Sequence, residues 1–281
     1  MPGDDDDPVG QAITDAAPAA LTKKARGEGS SMFLLAILAG GFIAFGAVGM
    51  LVVQGTPDPA VGAAAILSGL VFSVGLSLVM LTGAELFTGD TMFVLPGAIG
   101  KLSAARIFRA WAIIWTGNLV GALAIAALFV AAGGTGAADG LVGVAAVDLA
   151  DTKLTKGAWA ILASGVLANL LVCLAVWTAM AATSIPAKVL AVTGPVTLFV
   201  AAGFEHSVAN MSILPIGWMA LAHDAEAVAQ AGLSGKAFGW LPVLRNLALS
   251  TIGNIVGGAI VALGFGLAHR KIGHTSPARP E

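Results

Sequence analysis

Four ionisable side chains, Glu85, Asp90, Glu205 and His206, fall within or beside two interruptions of otherwise uncharged hydrophobic runs. Charged or titratable groups in such runs are costly unless they line a protein-buried site or a water-filled path. His206 is the sharpest of the four. An imidazole with an ordinary pKa of about 6.5 exchanges protons at physiological pH, and it can also donate a hydrogen bond to a passing anion. Glu85 and Glu205 read either as proton carriers or as acceptors for the N–H groups that a broken helix leaves unpaired. Thr88, Thr91, Ser207 and Asn210 suit the same capping work. Thr88 stands in the middle of its interruption and is the best placed to reach a lumen.

The two interruptions match each other. Residues 83–96 read G-A-E-L-F-T-G-D-T-M-F-V-L-P, and residues 203–215 read G-F-E-H-S-V-A-N-M-S-I-L-P. Each has Gly, one residue, Glu, a polar cluster and then M-x-x-L-P. A second trace of repetition is G-N-[LI]-V-G around Asn118 and Asn254, and Asn169 stands in V-L-A-N-L-L-V. An Asn in such a segment reads as helix–helix glue; Asn169 and Asn254 read alternatively as amides presented to a pore. Lys153 and Lys156 read either as charges that concentrate anions at a pore mouth or as ordinary interfacial lysines. Phe72, Leu76, Leu86 and Phe199 read as hydrophobic constrictions or as plain helix packing.

The chain that must position these groups has 281 residues, 57% hydrophobic and 11% charged, with a mean hydropathy of +0.91. That charge content is under half of the ~25% usual in soluble domains, so the chain reads as a polytopic membrane protein. Six hydrophobic segments of spanning length are expected near 32–53, 60–82, 110–132, 159–182, 189–220 (interrupted) and 247–268. The second continues past its break through Leu95. Ten Lys and Arg residues flank one side (Lys23, Lys24, Arg26, Lys101, Arg106, Arg109, Lys188, Arg270, Lys271, Arg279) and four the other (Lys153, Lys156, Lys236, Arg245). That bias places both termini in the cytoplasm of a multi-pass protein of the plasma or inner membrane. Residues 1–31, with the acidic run Asp4–Asp7, read as a disordered cytoplasmic tail, 32–268 as the membrane domain and 269–281 as a second cytoplasmic tail. The second half starts from the opposite side of the membrane, so the three-plus-three arrangement is an inverted repeat whose axis brings both breaks together. One cysteine, Cys173, excludes an internal disulfide and a multi-Cys metal site.

Three long strings carry a resemblance. F-E-H-S-V-A-N-M (204–211), G-A-E-L-F-T-G-D-T-M (83–92) and L-A-N-L-L-V-C-L-A-V-W (167–177) resemble signatures of the formate/nitrite transporter family, from the first segment to the end of the sixth. The resemblance implies an all-α, aquaporin-like bundle of six transmembrane helices in two inverted three-helix repeats, broken in the second and fifth. It also implies a homopentamer with a pore in each protomer. Carried across, His206 is the central pore histidine with Glu205 supporting it, Thr88 lies on the loop breaking the second segment, and Lys153 is the outer vestibule lysine. Asn169 and Asn254 are pore asparagines. Leu76 and Leu86 form the cytoplasmic constriction, and Phe72 and Phe199 the outer one. L-F-T-G-D-T-M-F is similar to the nitrite branch, except that Asp90 replaces a residue usually His there; G-F-E-H with Leu214-Pro215 is similar to the formate branch. Asp90 is expected to face protein or the cytoplasmic side.

The function expected from these residues is transport of small monovalent anions or their weak acids (formate or nitrite, with lactate or hydrosulfide as further substrates), with proton exchange at His206. A neutral-solute channel, aquaglyceroporin- or ammonia-like, is the alternative, although there is no N-P-A pair. A membrane metalloenzyme would need paired His ligands or a nucleophile–base set, and there is no H-E-x-x-H. No enzyme activity, cofactor, metal or nucleic-acid partner is expected; the partners are the small anion, lipid and further copies of the chain.

Overall fold

In lipid no water is available to pair backbone N–H and C=O groups, so long apolar runs satisfy them locally as helices. The computed structural model describes residues 9–56, 61–223 and 225–269, and every regular element among them is helical. Helix α1 (Val9–Ala25) precedes α2 (Gly29–Gln54) and α3 (Val61–Thr82). After a break come the short α4 (Phe87–Asp90), one 3-10 turn and α5 (Val94–Ala98). Then follow α6 (Ala104–Ala131), α7 (Leu141–Thr155), α8 (Ala158–Ala181) and α9 (Ile185–Ala201). A second break leads to α10 (Ser207–His223), α11 (Ala225–Gln230) and α12 (Trp240–Ala268). Among the described residues five helices, α2, α3, α6, α8 and α12, are long and apolar enough to cross a membrane, and α9 with α10 makes the sixth, broken crossing.

The pairing is two-fold. Helix α6 packs on α2, and α12 packs on α8, as the most extensive contacts in the molecule; α3 packs against α9 where the halves meet. The G-N-x-V-G strings are what let these pairs close. A Cβ on Gly121 would run into the Ile37 carbonyl of α2, and one on Gly253 or Gly257 into the Leu162 or Val166 carbonyl of α8. With backbones this close, the buried Asn118 and Asn254 between the glycines reach across to the breaks.

The expected segments are present, most with longer ends: α6 starts at Ala104 and α12 at Trp240, a turn or more before the apolar runs near 110 and 247. One expectation is corrected. Residues 9–25 of the expected disordered tail form α1, and Ile13, Ala17, Leu21 and Ala25, four apart, are buried as one stripe. A helix with such a stripe needs no hydrophobic run to be stable, only a surface to pack on. The stretch between the third and fourth expected segments likewise contains a helix, α7. The acidic run Asp4–Asp7, and Arg270, Lys271, His274 and Arg279 of the C-terminal tail, lie outside the described residues.

Replacing Gly257 by Leu should lower the thermal midpoint of the detergent-solubilised protein, because a side chain there meets the α8 backbone and not a movable side chain. The same substitution at Gly264, where a Cβ meets nothing, should leave the midpoint near the wild-type value. Thermal unfolding followed by intrinsic Trp fluorescence checks both.

Candidate functional site

Each break begins on a glycine that only a residue without Cβ adopts comfortably. Gly83 has φ +73° and Gly203 φ +66°. The next amide reaches back five residues in both, Ala84 N to Val79 O at 3.2 Å and Phe204 N to Phe199 O at 3.1 Å, which closes α3 and α9 with the same C-terminal motif. Beyond it the chain is non-helical to the start of α4 or α10, and its polar groups need partners.

Those partners are the two asparagines. Asn118 Oδ1 accepts from Phe87 N at 2.9 Å, and its Nδ2 donates to Glu85 O at 2.9 Å and Ala36 O at 2.7 Å. Asn254 repeats this pattern: Oδ1 accepts from Ser207 N at 2.8 Å, and Nδ2 donates to Glu205 O at 3.0 Å and Gly165 O at 2.8 Å. Two expectations change here. The carboxylates of Glu85 and Glu205 do not collect the backbone N–H groups, because amides from neighbouring helices already do. Both N–H groups of Asn254 are committed to backbone, so it holds the break and has none left for a solute.

The two breaks meet at Thr88 and His206, whose Oγ1 and Nε2 are 2.9 Å apart and buried. Ala209 N donates to His206 Nδ1 at 3.0 Å, which leaves that nitrogen without a proton; Nε2 therefore carries it and donates to Thr88. The Thr88 hydroxyl proton stays available for another acceptor. Asn169 fixes this centre from α8, with Nδ2 donating to Thr88 O at 3.1 Å and Thr91 Oγ1 at 3.0 Å. Cys173, one turn further along α8, donates to the same Thr88 carbonyl at 3.4 Å.

Apolar side chains close the space on both sides. Phe199 stacks on His206, with centroids 5.6 Å apart, and Phe72 meets Phe199 edge-on at 5.6 Å. They line a cavity of about 30 Å³ that also touches Lys153 and Asn210, and this is room for about one water. On the α1 side Leu76 and Leu86 line a cavity of about 200 Å³, together with Lys24 and Asp90. The pairs Phe72/Phe199 and Leu76/Leu86 thus line two different cavities, the first of which reaches His206.

A charged cluster stands at each side. Glu205 takes Lys153 at 3.2 Å, Lys156 at 2.7 Å, Asn210 at 2.7 Å and Asn246 at 3.3 Å. Its carboxylate is thus engaged by lysines and amides, and no hydrogen bond joins it to the His206 ring among the described residues. Lys153 is buried and already paired. Burial lowers its basicity, Glu205 opposes that, and Lys156 adds to it. On the other side Lys24 of α1 reaches Asp90 at 2.7 Å and Glu85 at 2.9 Å.

Three participants escaped the sequence reading: Lys24 as a partner of the break, Ser164, which accepts from Glu205 N at 2.9 Å, and Asn246. Asn246 had a signal. Asn246, Ser250 and Asn254 recur every four residues on α12 and are all buried, a polar stripe along an otherwise apolar helix.

Six crossings in two inverted repeats, broken in the second and fifth, define an all-helical multi-pass membrane protein of aquaporin-like fold. An aquaglyceroporin of Plasmodium falciparum shares it at a TM-score of 0.52 and 15% identity over 87% of this chain and all of that one, which is likeness of fold alone. A solved structure described as a pentameric formate channel with formate bound superposes at a TM-score of 0.79, with 34% identity over 86% of this chain and 98% of that one. The formate channel FocA of Haemophilus influenzae is 35% identical over 88% of this chain and 89% of its own length, and the nitrite transporter NirC of Salmonella typhimurium 34% over 86% and 84%. The family description "Formate/nitrite transporter" matches residues 11–267. The chain belongs to the formate/nitrite transporter family, a family of transporters and not of enzymes.

Asn254→Ala would strand Ser207 N and Glu205 O at once, while Gly165 O keeps its place in the α8 ladder. Each orphaned group costs roughly 1–3 kcal/mol, so unfolding free energy should drop by several kcal/mol. Asn169→Ala, which strands the Thr88 carbonyl only partly, should cost less. Denaturant titration of both variants in one detergent checks the order.

Proposed function

We propose that the chain carries small monovalent anions across the plasma or inner membrane as their weak acids, formate and nitrite foremost, with lactate and hydrosulfide as further substrates. Each protomer of a homopentamer has its own path, and both termini, with α1, face the cytoplasm. The observation that carries this reading is the buried His206–Thr88 pair, with Phe72 and Phe199 beside the imidazole in a cavity that holds about one water. A bare anion loses its hydration there with too little in return, whereas the neutral acid does not. Lys153 and Lys156 against the single carboxylate of Glu205 give the outer cluster an excess positive charge beside the His206 cavity, which attracts anions. Relatives described as formate channels and nitrite transporters support the substrate class.

The hydrogen bonds define how a proton would move. A proton arriving at Nδ1 displaces the Ala209 N–H bond and makes the ring an imidazolium. The Nε2–H bond then breaks as an O–H bond forms on the anion, directly or through the Thr88 hydroxyl, and the ring is left neutral. The acid crosses the gap and ionises in the far cavity.

Proteoliposome uptake of formate, nitrite, lactate, hydrosulfide and glycerol at acidic and neutral pH tests this. Wild type should take up the weak acids, faster in acid, and not glycerol. His206→Phe should reduce uptake about 100-fold or more, the range of a lost proton-transfer group. His206→Asn, which keeps a donor but cannot exchange a proton, should be nearly as slow. Substrate current that ignores pH and survives His206→Phe would replace the proton step with a plain anion channel. Glycerol uptake without formate uptake would replace the substrate class.

A further inference from the structure

The two charged clusters occupy equivalent places in the repeat but differ at one position. Asp90 and Asn210 each stand five residues after the glutamate of their break. At the α7 end Asn210 is an amide, and its Nδ2 donates to Glu205 Oε2 at 2.7 Å. At the α1 end Asp90 and Glu85 share one ammonium, Lys24 Nζ standing 2.7 Å from Asp90 Oδ1 and 2.9 Å from Glu85 Oε2, so two carboxyl groups meet where the other cluster has an amide facing a carboxylate. The cations differ too. Lys153 and Lys156 both hold Glu205, whereas Lys24 alone serves both Glu85 and Asp90, because Arg26 turns to the Lys101 carbonyl at 3.0 Å. Asp90 is 1% exposed, and among the described residues its Oδ2 has no hydrogen-bond donor. It lines the cavity between α1 and the Leu76/Leu86 constriction.

We infer that Asp90 rests as a neutral carboxylic acid donating to Glu85, in place of an amide, and that its ionisation sets the charge a substrate anion meets at this mouth. With the proton on Asp90, Lys24 and Glu85 cancel and the cluster is neutral. When Asp90 loses it to water in the cavity, the O–H bond breaks, the cluster carries one excess negative charge, and an anion approaching through the same cavity is repelled. Among the described residues the titratable groups facing Asp90 are Lys24 on α1, Glu85 in its own break and Cys173 on α8. Trp111 of α6 holds only its backbone carbonyl, at 2.8 Å. The inference rests on the anion-transport reading for its consequence, but not for the protonation itself.

Two measurements test it. Infrared spectra of purified protein carrying isotope-labelled aspartate should show a protonated carboxyl band that shifts with the label, disappears in alkaline buffer and is missing from Asp90→Asn. Formate uptake should also change its pH profile: the ratio of Asp90→Asn to wild type should rise about tenfold from acidic to alkaline buffer, as the repelling charge is removed. A wild-type spectrum without the labelled band overturns the inference, even if the variant does not fold. So does an uptake ratio that stays constant with pH, since a merely structural aspartate would scale the whole profile. Wild type that shows the band but transports no formate keeps the protonated Asp90 and refutes the transport reading instead.

Discussion

The structure depends on how two broken helices satisfy their backbone where water is absent. A break in a membrane segment exposes N–H and C=O groups that lipid cannot pair, and each is expensive. Asn118 and Asn254 meet that demand from the neighbouring helix, each bridging the carbonyl of a glutamate and the amide two residues on. An asparagine side chain is short, so this works only if the helices nearly touch, which is what the glycines around it permit. Close packing, break geometry and the position of Thr88 and His206 are therefore one constraint. None can be relaxed alone.

Symmetry provides the scaffold, and departures from symmetry provide the chemistry. Counting from the glycines, His206 is equivalent to Leu86 and Thr88 to Val208. One break thus contributes an imidazole opposite a leucine, and the other a hydroxyl opposite a valine. The polar pair forms across the interface, and Phe72 and Phe199 line the cavity beside its imidazole, whereas Leu76 and Leu86 line a separate one. A perfectly symmetric chain would put either two histidines or two leucines at these places, and neither arrangement gives the single imidazole–hydroxyl pair that joins the two breaks.

Much of this was legible in the sequence because it was written as repetition. The paired G-x-E strings marked the breaks, and spanning-length apolar runs marked the crossings. What escaped was long-range or amphipathic. Helix α1 has polar residues and Pro18 among its buried stripe, so composition alone reads it as solvated. Its Lys24 reaches partners 61 and 66 residues away, a contact no local pattern contains. The role of the glutamates was misread for a related reason. A carboxylate beside unpaired amides is a reasonable local match, but a better donor–acceptor match was available from an asparagine on another helix. The T-K-x-x-[KR]-G ending shared by residues 22–27 and 152–157 is the trace that would have tied α1 and α7 into the repeat.

The buried ion pairs are poor candidates for holding the fold together. Desolvating a carboxylate and an ammonium offsets most of their attraction, and apolar replacements of similar volume are often as stable. Lys24, Glu85, Asp90, Lys153 and Glu205 nonetheless stand at the two ends of a gap lined by phenylalanine and leucine. In that low-dielectric setting a charge acts over the whole gap instead of being screened within it. The asymmetry of the clusters then matters more than their strength. One cluster sets two lysines on one carboxylate and the other sets two carboxyl groups on one lysine, so under the proposed function the first would favour an anion beside His206 and the second would answer to a single proton. On the transport reading proposed above, the clusters would set the potential at which a weak acid gains or loses its charge, and the apolar centre would make that change of charge the condition for crossing.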